Sequence, residues 1–339
     1  MKAAIYKGPG VIEIEDVKDP KMKKDEYLVK VVYSGLCGTD VKTYKQGHRY
    51  FKPPCILGHE FSGVIVDAGE DVDQSLIRSK ITCAPYVSCN NCSECRKGLY
   101  ELCNCKDGIS SGTFTEYITV PKNVSEKGMV VVNNDCNMLE LSLSEPVACV
   151  LNSVRKIGFK PGSNVLIMGA GSMGLIHAEI FIKFGANKVL VTDFNEKRLR
   201  VAQELGACVA NPKKTAIKEW VMEQTNGEGL NYIVVAIGAP AAVEEAFNYA
   251  NNGTIINIFG GLANGSRINI DPNIIHYNEV KLIGSFGFAP NDFQMAARLL
   301  QSQRISLGKI ITDHIEIDYI KKAFEMSLKQ ETIKAVISL

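Results

Sequence analysis

The sequence predicts two domains of different class, a mainly antiparallel β domain followed by an α/β domain built on a parallel sheet. Three observations predict this. The chain has 339 residues, which suggests about two domains. Residues 1–145 are rich in short β-branched and aromatic segments separated by Gly, Pro, Asn and Asp. From Pro161 onward, apolar strand-like runs alternate with amphipathic helical stretches, the pattern of strands joined by helical crossovers.

In the first part, KAAIY, EYLVKVVYS, FSGVIVDAG, KITCAPYV and TFTEYITV read as strands, and LCGTD and ILGHE read as turns or approaches to strands. In the second part NVLIMG reads as a strand, followed by a helix over 173–185, the strand KVLVTD, a helix over 195–205, and the strands NYIVVAIG and GTIINIFG. After Gly284 the alternation weakens. The tail ITDHIEIDYIKKAFEMSLKQETIKAVISL reads as strand, helix and a last strand that could return to the first domain. There is no internal repeat and no low-complexity linker.

Bulk properties narrow the function classes. A hydrophobic fraction of 46% supports a packed core. The formal charge of +1, with both signs interspersed, argues against nucleic acid as a partner, because a phosphate backbone selects a strongly basic surface. No apolar run reaches the ~18–20 residues that span a bilayer, so no membrane is expected. The start, MKAAIYKGPGVIEIEDV, lacks a secretory apolar core, and eleven cysteines without one point to a reducing, cytoplasmic setting. Cys55, Cys83, Cys105, Cys136, Cys149 and Cys208 are expected to be small buried or neutral side chains.

Four cysteines carry the most specific local signal. Cys89, Cys92, Cys95 and Cys103 follow the spacing C-x2-C-x2-C-x7-C. Four thiolates this close can close a tetrahedral shell around one zinc ion, and a closed shell is structural. Disulfides are disfavoured by the compartment, and the bacterial ferredoxin run ends in a shorter gap followed by proline, which is absent here.

A second signal is Gly169-Ala170-Gly171-Ser172-Met173-Gly174, a G-x-G-x-x-G run. It follows an apolar strand and opens a helix, the context that a dinucleotide fingerprint needs. Gly169 permits the tight turn, Gly171 lets the backbone approach a pyrophosphate, and Gly174 lets helix and strand pack closely. The helix N-terminus around Ser172 and Met173 offers free N–H groups to the phosphates. Asp193 ends the next strand, where a carboxylate can bind the ribose hydroxyls and repel a 2′-phosphate, favouring NAD over NADP. Arg198 has two readings, a cover on the adenine or ribose and a solvated charge.

A third set is more dispersed. Cys37 lies in LCGTD, and His59 and Glu60 follow Gly58. Cysteine, histidine and carboxylate form an open zinc shell when a fourth position is left to water or substrate, although each alone is more commonly a packing residue. Glu145, in LSLSEPVACV, is a ligand or near-ligand candidate, or else an acidic residue favoured by a helix dipole.

Together, LCGTD, GHEFSGVIVDAG, the four-cysteine run, SEPVACV and GAGSMG with VTD resemble the zinc-dependent medium-chain dehydrogenases. The likeness covers essentially the whole chain and is greatest to the sorbitol and threonine dehydrogenase branch. It implies a GroES-like β catalytic domain over residues 1–147, completed by 288–339, and a Rossmann doubly wound NAD-binding domain over 148–287. It implies that Cys37, His59 and Glu60 hold a catalytic zinc with Glu145 at the metal, and that Thr39 is the hydroxyl that passes the substrate proton outward. The implied reaction is hydride transfer from a secondary alcohol, a polyol or sugar-derived alcohol, to NAD, shielded by the apposition of the two domains. A threonine-type amino alcohol dehydrogenase is the nearest alternative, and a non-catalytic NAD-binding regulator is a reading from another class. The resemblance also implies a homo-tetramer or homo-dimer.

Departures from the family pattern are visible. Lys42 stands where many relatives carry the outer histidine of a proton relay. Gly287 and Phe288 fall where polyol enzymes often carry an arginine and an aromatic, which weakens the case for free sorbitol. Ser79-Lys80 replaces a Gly-Asp turn. Lys42, Lys45, His48, Arg49 and Lys52 could form a cationic mouth for a phosphate or carboxylate, or simply a solvated face.

Overall fold

A computed structural model describes residues 1–339. The chain forms two compact units. One comprises Met1–Cys149 together with Phe288–Leu339, and the other comprises Val150–Gly287.

The first unit is built on a mixed sheet. Its strands run in the order Met129–Val132, Lys80–Cys83, Glu60–Ala68, Glu26–Gly35, Lys334–Ser338 and Ile311–Glu316, and Tyr117–Pro121 also pairs with Glu26–Gly35. All pairings are antiparallel except that of Ile311–Glu316 with Lys334–Ser338. The last strand thus sits beside Glu26–Gly35, with Val336 opposite Gly35. A three-stranded sheet, Val11–Asp16, Lys2–Gly8 and Cys55–Ile56, completes the β structure around a core that includes Tyr6, Leu57, Phe114 and Phe324.

This unit holds more helix than the sequence reading expects. Gly38–Gln46, Lys122–Gly128 and Met138–Leu141 are helical, and a further helix, Ser144–Lys156, starts here and runs on into the second unit. Cys37 therefore precedes a helix and does not lie in a plain turn. Its thiol accepts from the Thr39 N–H at 3.4 Å, while the Asp40 carboxylate accepts from the Cys37 N–H at 3.1 Å. This reciprocal pair satisfies two donors that the first turn would otherwise leave bare. KITCAPYV also divides, into Lys80–Cys83 and Tyr86–Val87, because Pro85 lacks the N–H a continuous ladder needs. Cys105 is exposed, and desolvation leads the causes that raise its pKa, so it is one of the neutral rather than the buried thiols expected.

The second unit is a six-stranded parallel sheet in the order Cys208–Ala210, Lys188–Thr192, Asn164–Met168, Tyr232–Val235, Ile255–Ile258, Lys281–Gly284. The strand that precedes the glycine motif is central and wholly buried, so its sequence NVLIM needs no polar face. This is the doubly wound architecture the sequence predicts, in which the order reverses beside the first strand. The helices Ser172–Lys183 and Glu196–Leu205 each lie within two residues of their expected bounds. Asn195 caps the second by accepting from Lys197 N–H at 2.9 Å, and Gly206 ends it in the left-handed region at φ 105°.

His177 is fully buried in this unit. Its Nδ1 bonds the Met173 carbonyl at 2.8 Å and its Nε2 the Ser153 hydroxyl at 3.1 Å. Burial lowers its pKa to about 4, so the folded ring stays neutral where an unfolded histidine is already charged. Between the ordinary histidine range and that value the unfolded chain binds the extra proton, so stability falls as pH falls. The effect reaches at most about 3 kcal/mol. The stability advantage of the wild type over His177→Gln should therefore shrink between pH 7 and pH 4.5, as read from urea midpoints. A constant difference would show that the ring is not held neutral.

Candidate metal and nucleotide sites

The strand Glu26–Gly35 delivers the chain to Cys37, and the paired strand Glu60–Ala68 begins at Glu60, so the Gly35–Glu60 pairing brings residues 37 and 59–60 to one sheet end. One donor atom each from Cys37, His59 and Glu60 lies within 4.8 Å of the others. Gly35 is required there, since a Cβ would stand 2.0 Å from Glu60 Oε2. That oxygen is buried without a hydrogen bond, although Lys334 Nζ lies 2.6 Å away. Burial alone would lower the His59 pKa, yet the Asp40 and Cys37 charges outweigh it and raise it well above its ordinary value. The set is thus anion-rich and draws a cation to its centre, and soft sulfur, imidazole and carboxylate together suit zinc.

Asp40 completes the arrangement. It is fully buried, accepts from Gly58 N–H at 3.2 Å, and faces His59 Nδ1 at 3.6 Å, which leaves Nε2 for a metal. The sequence reading overlooked Asp40. Its C-x-x-D spacing from Cys37, a capping-box pattern, was the available signal. Thr39 is exposed beside Cys37. Glu145 sits in the first turn of Ser144–Lys156, is 8% exposed, and accepts from the Cys149 thiol at 3.6 Å. Burial is the main cause that raises its pKa to about 7, and Glu60 adds to the rise.

Phe288 is buried and stacks on Tyr86, with centroids 4.9 Å apart and planes at 21°. The Lys106 ammonium lies 4.2 Å from the same ring centre. Burial is the main cause that raises the Tyr86 pKa, and the Glu145 charge adds to the rise. This stack too was missing from the sequence reading. Lys42, Lys45, Arg49 and Lys52 are exposed, and the Arg49 guanidinium covers the Tyr50 ring at 4.5 Å.

The four-cysteine lobe forms a compact thiol cluster. Cys89–Cys95, Cys92–Cys95, Cys92–Cys103 and Cys89–Cys103 sulfurs are 4.0, 3.5, 3.8 and 3.5 Å apart. A tetrahedron with Zn–S near 2.3 Å has edges of roughly 3.8 Å, so the cluster has the right size. Backbone N–H groups of Asn91 and Cys92 point at Cys89 Sγ, and those of Cys89 and Cys105 at Cys103 Sγ, all at 3.3–3.4 Å. The Asn91 and Cys92 N–H groups hold the Cys89 pKa down at about 6, which favours the thiolate a metal needs.

In the second unit, Gly169 has φ 106° and Gly174 lies so close to its carbonyl that a Cβ would fall 1.8 Å from it. Gly171 caps the helix Ser172–Lys183 with nothing within 4 Å of a Cβ position, leaving space before the free N–H groups of Ser172 and Met173. Asp193 accepts from Ala170 N–H at 2.7 Å and from Asn195 N–H at 2.8 Å, tying the loop to the next strand. Arg198 Nε is buried without a hydrogen-bond partner.

Known proteins share this plan. A family model for the alcohol dehydrogenase GroES-like domain matches residues 23–130, and one for zinc-binding dehydrogenase matches 172–302. Sorbitol dehydrogenase of Bacillus subtilis is 29% identical over 99% of this chain and 97% of its own length. The structure of galactitol-1-phosphate dehydrogenase from Escherichia coli superposes with a TM-score of 0.90 at 26% identity, covering 100% of both chains. A zinc-binding dehydrogenase from Sinorhizobium meliloti, solved with NADP, gives a TM-score of 0.90 at 28% identity over 100% of this chain and 99% of that one. The fold and these matches define a zinc- and nucleotide-dependent oxidoreductase. The chain belongs to the zinc-dependent medium-chain dehydrogenases, in their polyol dehydrogenase family. No helix is long and apolar enough to cross a membrane.

Proposed function

We propose that this protein oxidises a secondary alcohol of a polyol or sugar-derived substrate with NAD, and that the first unit carries the catalytic metal while the second binds the nucleotide. The observation that carries this reading is the convergence of Cys37, His59 and Glu60 on one anion-rich point beside Glu145. Cys37, His59 and Glu60 would hold one zinc, and the Cys89, Cys92, Cys95 and Cys103 lobe a second. Bound there, zinc supplies a Lewis acid and the nicotinamide a hydride acceptor. Asp40 fixes the His59 ring. Thr39, exposed next to Cys37, would accept the hydrogen bond of the substrate hydroxyl and, as it takes that proton, release its own hydroxyl proton to solvent. Glu145 can hold a proton near neutrality because burial keeps its pKa near 7.

The exposed cations between Lys42 and Lys52 support a solvated face, so a phosphorylated substrate is not needed to explain them. An NAD reduction screen across polyols, polyol phosphates, aldonates, butanediol and threonine tests the assignment. Turnover fastest on threonine, or on no alcohol at all, would overturn it.

The preference for NAD is assigned to Asp193. Asp193→Asn can keep the bond from Ala170 N–H while removing the charge that repels a 2′-phosphate. The NADP to NAD ratio of kcat/KM should rise at least about tenfold, the equivalent of about 1.4 kcal/mol. An unchanged ratio would place the discriminating contact elsewhere, with Arg198 the next candidate. Assembly as a homo-dimer or homo-tetramer fits the unpaired outer edge of Lys281–Gly284, followed by Phe286 at 66% exposure. A monomer by light scattering would remove that part of the reading.

A further inference from the structure

Lys334 opens the last strand and is buried at 3% exposure. Its Nζ donates to Glu60 Oε1 at 2.8 Å and to the Leu36 carbonyl at 3.0 Å, and stands 2.6 Å from Glu60 Oε2. Both carboxylate oxygens of Glu60 therefore face one ammonium, and Glu60 is itself 1% exposed. A lysine so placed is held by three oxygens of two residues, Leu36 just after the strand Glu26–Gly35 and Glu60 at the start of the strand Glu60–Ala68.

The arrangement makes the carboxylates at the site unequal. Glu60 shares its charge with an ammonium at contact distance, whereas Glu145 bonds only the weakly polar Cys149 thiol. Electron density drawn toward an ammonium is not available to a metal, so the paired carboxylate is the weaker donor. Neither Cys37 nor His59 has an ammonium at contact distance, although the Lys334 charge reaches Cys37. The Asp40 carboxylate faces His59 Nδ1 and strengthens the imidazole as a donor.

We propose that Lys334 is a positioning residue that keeps Glu60 the weakest and most readily released member of the metal shell. The inference rests on reading Cys37, His59 and Glu60 as the metal site. It requires no change in the protonation of Lys334. It also gives the final strand a role in the chemistry of the first unit, because the residue that tunes Glu60 lies 274 positions away in sequence.

Two neutral substitutions and one charged one test this. Lys334→Met removes the ammonium, Lys334→Gln removes the charge but keeps amide donors for Glu60 and Leu36, and Lys334→Arg keeps the charge. The readouts are the rate at which a chelating dye withdraws the catalytic metal from the folded protein and the visible spectrum of the cobalt(II)-substituted protein. With Glu60 no longer shared, metal release should slow by about tenfold or more in Lys334→Met and Lys334→Gln, and the cobalt bands should shift. Lys334→Arg should stay within about threefold of wild type. If Lys334→Met does not fold, Lys334→Gln decides alone. Release at the wild-type rate or faster, with an unshifted spectrum and only a lower melting temperature, would mean that Lys334 is merely structural and would overturn the proposal. Cys37→Ser serves as the control. If it leaves the content of rapidly released metal unchanged, the metal-site reading itself fails, and that failure is distinguishable from a failure of the Lys334 proposal.

Discussion

Replacing Cys37 with serine is expected to lower kcat/KM by at least about a thousandfold, or about 4 kcal/mol of transition-state stabilisation, while the protein still folds and still binds the dinucleotide. The expectation follows from the donor set. Cys37 supplies the only sulfur among the three atoms that lie within 4.8 Å of one another. A serine hydroxyl is not a thiolate at neutral pH, so the shell would lose one negative charge and its softest ligand. The fold should survive because serine is a good helix N-cap and can accept from Thr39 N–H as the thiol does. Dinucleotide binding should survive because the glycine motif belongs to the second unit. Metal content, steady-state rates and dinucleotide titration measure the three parts separately. Turnover close to wild type would remove Cys37 from the mechanism.

The second large effect is on stability. Cys95→Ser should remove the metal from the four-cysteine lobe and destabilise the first unit by more than about 4 kcal/mol, a size reserved for lost metals, disulfides and severe core damage. Cys95 is 4% exposed, and burial pushes its thiol up to about 12, so without a metal this residue stays protonated amid its neighbours. The short helix Ser93–Arg96, which carries Cys95 and is preceded by Cys92, and the turn Tyr100–Leu102, followed by Cys103, bury little of their own surface and depend on the cluster for order. The lobe should become protease-sensitive, and the melting temperature should fall. Residual folded enzyme at low temperature should keep much of its specific activity, because the lobe does no chemistry. A chelator should accordingly act in two phases, with activity lost from the open site and stability lost from the closed one. A single phase in which both vanish together would contradict the division of labour between the sites.

How far the sequence could be read depended on the range of the interactions. The fold class was legible because each strand and helix carries its own period, as in the buried run NVLIM and the capped helix after Asn195. The extra helices of the first unit were less legible. Gly38–Gln46 has a polar composition, and its start depends on a bond between the Cys37 backbone and Asp40 rather than on an apolar stripe. For Cys105 the reading left burial and neutrality open, and the structure stands it on the surface at the edge of the thiol cluster.

By itself the sequence determined the features whose chemistry is local. The close spacing of the four cysteines keeps their sulfurs within a few ångströms on any compact loop, and a G-x-G-x-x-G run between a strand and a helix makes one kind of turn. Only the tertiary structure decided what surrounds Cys37 and Glu60. Asp40 reaches His59 through the geometry of a helix start, Tyr86 meets Phe288 across some two hundred residues of chain, and Lys334 meets Glu60 through the pairing of the last strand with Glu26–Gly35. Such contacts are fixed by strand register and burial. Neither is written in the residues that finally touch, because each depends on how the rest of the sheet is ordered.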